Sequence, residues 1–263
     1  MKWTFFYRNI TSLLILCNTL VFAKQNENNL SDPLVQSPGN WFISMGVGEQ
    51  YPQWHNPMKV NNSSGFPAPY NKDLYATKNQ NEAVIAFSVG RHWQLGDFWF
   101  PSYSFGVFWQ YFFRTHLGKT ITLYSNPELT NYRYNWNLTA NLLLASAKLN
   151  LLEYKKFSPY VNVGIGSSFN RTSNYKEKAL TDVTPRFSPQ FSKFSTSEFS
   201  YVIGIGVDLQ FMSQLILSVG YNYQNLGQIS SGPGKEIWSN QSLNPGSYHS
   251  NEVLLSVSYF LGK

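Results

Sequence analysis

Residues 201–210, YVIGIGVDLQ, decide the fold, because they alternate between two kinds of side chain. Apolar or aromatic residues occupy every odd position from Tyr201 to Leu209, while glycine, aspartate and glutamine occupy even positions. Successive side chains of a β-strand point to opposite faces, so the pattern predicts a strand with one apolar and one small, polar face. Its length of about ten residues is what a tilted strand needs to cross a bilayer.

The same alternation recurs along the chain. In residues 134–142 the apolar parity contains Tyr134, Trp136 and Leu138, and we expect it to face lipid. After Leu143 the pattern fits either parity, which predicts a β-bulge there. Together with 201–210, the predicted strands lie near residues 41–48, 82–90, 104–114, 134–142, 160–166, 215–224 and 253–259.

The connections between these strands alternate between long and short. The short ones are 92–103, 150–158 and 211–213, and the long ones are 49–81, 115–133, 170–198 and 226–250. Small barrels of the outer membrane have short periplasmic turns and long outer loops. The sequence therefore predicts an all-β fold: an eight-stranded antiparallel up-and-down transmembrane β-barrel with short periplasmic turns and four long extracellular loops.

A soluble β-sandwich shows the same local alternation, but its exposed face is usually rich in charged residues. Here the polar face is glycine-rich, as the crowded interior of a narrow barrel requires, and only 13% of the chain is charged. Aromatic residues reach 17%, and tyrosine and tryptophan collect at membrane interfaces. Both observations favour the barrel over the sandwich.

The amino-terminal region has the order of an export signal. Basic residues precede the apolar run ITSLLILCNTLVF, which ends at Phe22, and the small residue Ala23 follows as the expected cleavage site. We predict a signal peptide over 1–23, a polar leader over 24–39 and a barrel domain over 40–263. Cys17 is the only cysteine, so the exported chain has no disulfide. A soluble periplasmic domain with a large core is the alternative.

Three stretches also resemble a known family. Residues 159–166 (PYVNVGIG), 204–209 (GIGVDL) and 215–223 (LILSVGYNY) resemble the fifth, sixth and seventh strands of the outer-membrane β-barrel superfamily that includes OmpA, OmpX and the opacity proteins. The resemblance implies the fold and the bacterial outer membrane. It implies no single activity, since one barrel fold hosts unrelated functions.

Few polar side chains are predicted to face the lumen, and two groups of them stand out. Glu82 and Arg114 share the lumen parity near the outer ends of neighbouring strands, so we predict an ion pair between them. Asp208, His92 and Lys148 should form a second polar network near the periplasmic end. We expect both groups to fill the lumen and fix strand register.

The predicted loop 170–198 is the most basic exposed segment. It carries Arg171, Lys176, Lys178, Arg186 and Lys193. Lipopolysaccharide phosphates would attract these cations, although solvated loop charge explains them equally well. The expected partners are outer-membrane lipids, lipopolysaccharide and host-surface or envelope proteins. With a net charge of +6 but no basic run, the chain is not expected to bind nucleic acid.

A catalytic site is not predicted. Residues 248–252, YHSNE, resemble the His-x-Ser-Asn sequence of PagL-type lipid A deacylases, but the spacing is shorter by one residue. That difference places His249 and Ser250 on opposite strand faces. We predict no catalytic residue, cofactor or metal. The expected function is that of a non-enzymatic envelope and surface-interaction protein; a narrow channel for small or apolar solutes and a lipid A-modifying enzyme are the alternatives.

Overall fold

The computed structural model describes residues 39–78 and 80–261. The predicted signal peptide, the predicted leader before Gly39 and residues 262–263 lie outside the described residues. Within the described part, no helix is long and apolar enough to cross a membrane.

Eleven strands make up the described fold. In chain order they are β1 (Asn40–Gln53), β2 (Met58–Asn61), β3 (Lys72–Tyr75), β4 (Glu82–Gln94), β5 (Trp99–Leu117), β6 (Thr120–Thr122), β7 (Tyr132–Leu152), β8 (Phe157–Ala179), β9 (Phe194–Met212), β10 (Leu215–Ile229) and β11 (Gly246–Leu261). Single 3-10 turns cover Leu123–Ser125, Pro127–Leu129 and Glu236–Trp238.

The eight long strands form a closed antiparallel ring. Each long strand pairs with the next one in the chain, and β1 pairs with β11 from Trp41–Leu261 to Gln53–His249. Closure satisfies the backbone hydrogen bonds of the wall from within, as a lipid environment requires. The predicted eight-stranded antiparallel barrel is confirmed.

The connections alternate in length as predicted. Residues 95–98, 153–156 and 213–214 form short turns at one end. The other end carries the four long connections, loop 1 (54–81), loop 2 (118–131), loop 3 (180–193) and loop 4 (230–245). The long strands run further than predicted, because β7 and β8 continue as a hairpin up to Tyr132 and Ala179.

The wall has the expected two faces on most strands. Outward side chains such as Val47, Phe105, Ile165, Ile203 and Leu255 are apolar and exposed, as lipid contact requires. Inward positions carry small or polar residues. A Cβ at Gly206 would overlap the Tyr160 ring and a Cβ at Gly220 would overlap its hydroxyl, so both glycines make room for this side chain in the lumen.

Strand β7 reverses the predicted orientation. Trp136, Leu138 and Leu142 point inward and are almost fully buried, whereas Leu143 is 45% exposed on the outer face. The pairing of β7 with its neighbours is continuous from Ala140 to Asn150, so the bulge predicted after Leu143 is wrong as well. The reason is that the barrel interior at this level is apolar, and apolar side chains suit either environment.

The long loops fold over the barrel and share a core with the tops of the strands. We call this apolar cluster, together with loops 1–4, the cap. Burying a large apolar side chain contributes about 1.5–3 kcal/mol, so such a cluster holds the loops firmly. The loops and short strands contribute Met58, Val60, Tyr75, Ile121, Phe191, Trp238 and Leu243, and the long strands contribute Phe112, Leu117, Tyr134, Trp136, Leu138, Leu226, Ile229 and Tyr248.

Candidate functional site

The periplasmic half of the lumen contains a charged pair at its centre. Lys148 Nζ lies 2.7 Å from Asp208 Oδ2, and the Asp208 side chain is almost fully buried. The same carboxylate accepts hydrogen bonds from Ser218 Oγ at 2.6 Å and from Asn150 Nδ2 at 2.9 Å. Lys148 also lies over the Tyr160 ring, 4.3 Å from its centroid. A buried charge with this many partners is satisfied, which favours a structural role.

His92 lies beside this pair without joining it. Its Nδ1 is 2.9 Å from Ser104 Oγ, and its ring packs against Phe260 at 4.7 Å between centroids. Among residues 39–78 and 80–261 no hydrogen bond links His92 to Asp208. A serine–histidine pair that lacks an orienting carboxylate does not have the geometry of a nucleophilic triad.

A cavity of about 120 Å³ lies in the same half of the barrel. Small residues such as Ser44, Ser88, Gly106 and Ser256 line it, together with His92, Lys148 and Asp208. A second cavity of about 310 Å³ lies at the periplasmic mouth and shares His92 and Asp208 with the first. Cavities of this size are large enough for water molecules, which can bind where polar groups such as His92 and Asp208 line them.

Glu252 lies in a polar layer further along the lumen and is fully buried. Its carboxylate accepts hydrogen bonds from Gln110 Nε2, from Asn222 Nδ2 at 2.9 Å and from Gln224 Nε2 at 2.7 Å. Sequence reasoning did not select Glu252. The signal available was the lumen parity that it shares with Asn222 and Gln224 on neighbouring strands.

The next layer settles where His249 and Ser250 point. Ser250 is buried and donates a hydrogen bond to Gln50 Oε1 at 3.0 Å, as does Tyr248 at 2.7 Å. His249 lies on the outer face, where its Nδ1 is 3.0 Å from the Tyr223 hydroxyl. The two residues therefore occupy opposite faces, and the serine lies out of reach of the imidazole.

The predicted ion pair between Glu82 and Arg114 is wrong. Glu82 pairs in register with the buried Gln50 and faces the lumen, but Arg114 is exposed on the outside. The register of β5 shifts between Phe112 and Thr115, which marks a β-bulge. The extra residue turns Arg114 away from the interior and returns Thr115 to it.

The predicted basic loop separates into three parts. Arg171, Lys176 and Lys178 lie on the outer face of β8, and Lys193 is an exposed residue at the end of loop 3. Arg186 instead points into the cap. The prediction that these five cations form one exposed loop is therefore wrong, because β8 extends through most of the segment.

Arg186 of loop 3 connects loops 1 and 4 with the ends of β7 and β8. Its guanidinium forms ion pairs with Asp73 (2.7 Å) and Glu177 (2.6 Å) and donates a hydrogen bond to the Tyr75 hydroxyl at 3.1 Å. It also lies over the rings of Tyr132 and Trp238. Burial alone would lower the pKa of Arg186, but hydrogen bonds to Glu177 and the nearby charges raise it above its ordinary value.

In the part of the chain that the structure describes, no three His, Cys, Asp or Glu side chains are grouped as metal ligands. The interior has a polar periplasmic half with two cavities and a more apolar extracellular half, in which the buried layers around Glu252 and Gln50 are the polar part. Arg186 lies above the extracellular half, in the cap.

Comparisons with known proteins agree with this architecture. The family model described as "Outer membrane protein beta-barrel domain" matches residues 35–259. No curated protein matches the sequence. Among solved structures, Neisserial surface protein A is 12% identical, with 84% of this chain and 97% of that one covered at a TM-score of 0.42.

Two further solved structures are similar. The outer membrane protein AlkL is 12% identical over 91% of this chain and 98% of its own, with a TM-score of 0.46. OprG from Pseudomonas aeruginosa is 11% identical over 87% of this chain and 98% of its own, with a TM-score of 0.45.

Proposed function

This chain belongs to the outer membrane protein beta-barrel domain family of the bacterial outer membrane, and from that premise we propose a non-enzymatic surface-interaction protein whose working part is the cap. The observation that carries the proposal is the closure of the extracellular end. Trp136, Leu138 and Tyr248 are each at most 1% exposed inside the barrel, so large side chains fill the lumen at this level. An eight-stranded lumen filled by side chains is poorly suited to diffusion.

The outer surface of the cap supports the same function. Phe66, Phe187 and Ile237 come from three different loops, and each is 56% exposed. Ser63 of loop 1 donates a hydrogen bond to the Ile237 carbonyl at 3.3 Å, so loops 1 and 4 are in contact. Exposed apolar side chains on a rigid base are features of protein interaction surfaces.

The test compares attachment of cells that express three forms of the protein to immobilised host cells. We expect the wild type to attach and the variant Phe66→Ser/Phe187→Ser/Ile237→Ser to lose most of that attachment. The control Lys59→Gln/Lys235→Gln changes exposed loop residues without removing apolar surface. Equal attachment by all three, with equal amounts in the outer membrane, would contradict the proposal.

A narrow channel is the second candidate, because the cavity at the periplasmic mouth shares His92 and Asp208 with the cavity further inside the lumen. The purified barrel in planar bilayers should give no discrete conductance if the cap seals the lumen. Reproducible unitary steps from the wild type would instead establish the channel. A lipid A-modifying enzyme is the third candidate, and an altered lipid A mass spectrum in expressing cells would establish it.

A further inference from the structure

The outer face of the β7–β8 hairpin carries cations that oppose one another. Arg133 on β7 lies directly opposite Lys178 on β8, and Lys176 occupies the next outward position of β8, opposite Asn135. All three basic side chains are exposed. Like charges at directly opposed positions destabilise an antiparallel pair, so this arrangement is unfavourable unless an anion lies between them.

The protein itself does not supply that anion. Within residues 39–78 and 80–261, ion pairs join Lys148 to Asp208 and Arg186 to Asp73 and Glu177, and none involves Arg133, Lys176 or Lys178. Glu177 lies between the two lysines in sequence, but its carboxylate points inward to Arg186. On this hairpin, the Glu177 carboxylate therefore points into the cap, whereas the three basic side chains point outward.

A β-bulge produces this separation of charge. The register of β7 and β8 shifts between Asn135 and Asn137, where two residues of β8 oppose one of β7. One of them, Asn174, has a φ of 57°, which lies in the left-handed region. Without the extra residue, Tyr175 and Glu177 would face outward in place of the lysines.

The position of these cations indicates what they meet. Phe169 is the last apolar outward residue of β8 before Arg171, so it marks the upper part of the lipid-facing surface. The nine residue steps from Phe169 to Lys178 span roughly 30 Å along the strand, or about 23 Å of height at a tilt near 40°. At that height the side chains of Lys176 and Lys178 face sideways into the sugar layer above the lipid headgroups rather than upward.

We propose that Arg133, Lys176 and Lys178 form a site for phosphate groups of lipopolysaccharide, with Arg171 at its base. This inference goes beyond the proposed function by naming a ligand, and it depends only on the orientation of the barrel. Lysine and arginine bind phosphate through charge-assisted hydrogen bonds. Thr120 and Asn135, which lie on the same face beside Arg133, add neutral donors.

The test measures binding of fluorescent lipopolysaccharide to the full-length mature barrel in zwitterionic micelles. The variant Arg133→Gln/Lys176→Gln/Lys178→Gln should bind at least about tenfold more weakly, since three charge-assisted contacts are lost. The matched control, Lys59→Gln/Lys193→Gln/Lys235→Gln, removes the same charge from other exposed loop residues and should stay within about twofold of the wild type.

Dephosphorylated lipopolysaccharide should bind the wild type and the site variant equally weakly. If the site variant and the control lose equal affinity for lipopolysaccharide, the loss follows from the change in net charge alone, and the proposal is overturned. Binding of lipopolysaccharide that survives its dephosphorylation would also overturn the proposal. So would a protein that binds heparin fragments but has no affinity for lipopolysaccharide. Heat-dependent migration in gels confirms folding of each variant, and conductance and attachment assays on the same proteins report separately on the proposed function.

Discussion

The two halves of the barrel interior are built on opposite principles. Towards the periplasm, the lumen is lined by serine and glycine around the Lys148–Asp208 pair and holds cavities large enough for water. Towards the outside, Trp136, Leu138 and Leu142 fill the lumen and continue into the cap. A change in the apolar half leaves a void or an unpaired group, whereas a change in the hydrated half is compensated by solvent. The same kind of substitution should therefore have different costs in the two halves.

The largest effect is expected where a charge is held inside the apolar half. Arg186→Met removes one partner from Asp73 and Glu177, whose side chains are each 2% exposed, and should destabilise the cap by about 3–5 kcal/mol. The barrel wall itself should persist. Limited proteolysis of loops 1, 3 and 4 measures the effect, and Lys193→Met is the control in the same loop region. Unchanged protease resistance in Arg186→Met would show that the apolar contacts alone hold the cap.

A neighbouring pair of leucines tests the orientation of β7. Leu142→Ala should leave a cavity inside the barrel and cost about 2–5 kcal/mol, because Leu142 is fully buried. Leu143→Ala should cost less, since lipid or detergent fills the space on the outer face. Urea unfolding in micelles, followed by the gel shift of the folded form, gives both values. A larger loss of stability for Leu143→Ala than for Leu142→Ala would support the orientation of β7 that was predicted from the sequence.

The charged pair of the hydrated half should be less costly to break. Asp208→Asn leaves Lys148 beside the water-holding cavity with its side chain 24% exposed, so we expect a loss of about 1–2 kcal/mol rather than the cost of a buried unpaired charge. A double-mutant cycle with Lys148→Met isolates the coupling between the two residues. A loss as large as that of Arg186→Met would mean that the periplasmic half is effectively dry.

Two serines provide the finest comparison. Ser250→Ala removes one of the two donors to the Gln50 side-chain oxygen, the other being Tyr248, and in this fully buried position should cost about 1 kcal/mol. Ser104→Ala removes the partner of His92 beside the cavity, where water can replace the hydroxyl, and should cost about 0.5 kcal/mol. The same unfolding assay measures both, and equal losses would remove the distinction between the halves at the level of single hydrogen bonds.

Sequence periodicity was sufficient to predict the strands of the barrel wall, but it did not predict which side chains fill the lumen. On β9 the alternation of glycine and apolar residues specifies which side faces lipid, because glycine is unsuited to that role. On β7 the residues Trp136, Leu138 and Leu142 suit lipid and a dry interior equally well. The local pattern therefore could not predict which face of β7 points into the lumen, because that orientation depends on loops that are remote in sequence.

The polar sites show a similar division. Asp208 and Lys148 could be expected to meet, since both lie on the lumen parity near short turns. Arg114 could not be placed, because a single bulge reversed its direction. The role of Arg186 depends on Asp73, which is 113 positions away in the chain, and no local spacing relates the two.

The single arginine that joins the cap has a consequence for how the surface can evolve. Because Arg186 of loop 3 contacts Asp73 of loop 1 and Trp238 of loop 4, a substitution selected in one of these three loops changes the support of the other two. Antibodies or phages that recognise this surface would meet one discontinuous epitope rather than three independent segments. Escape from such recognition would then come from exposed tips such as Phe66 and Phe187, while the residues around Arg186 stay constant.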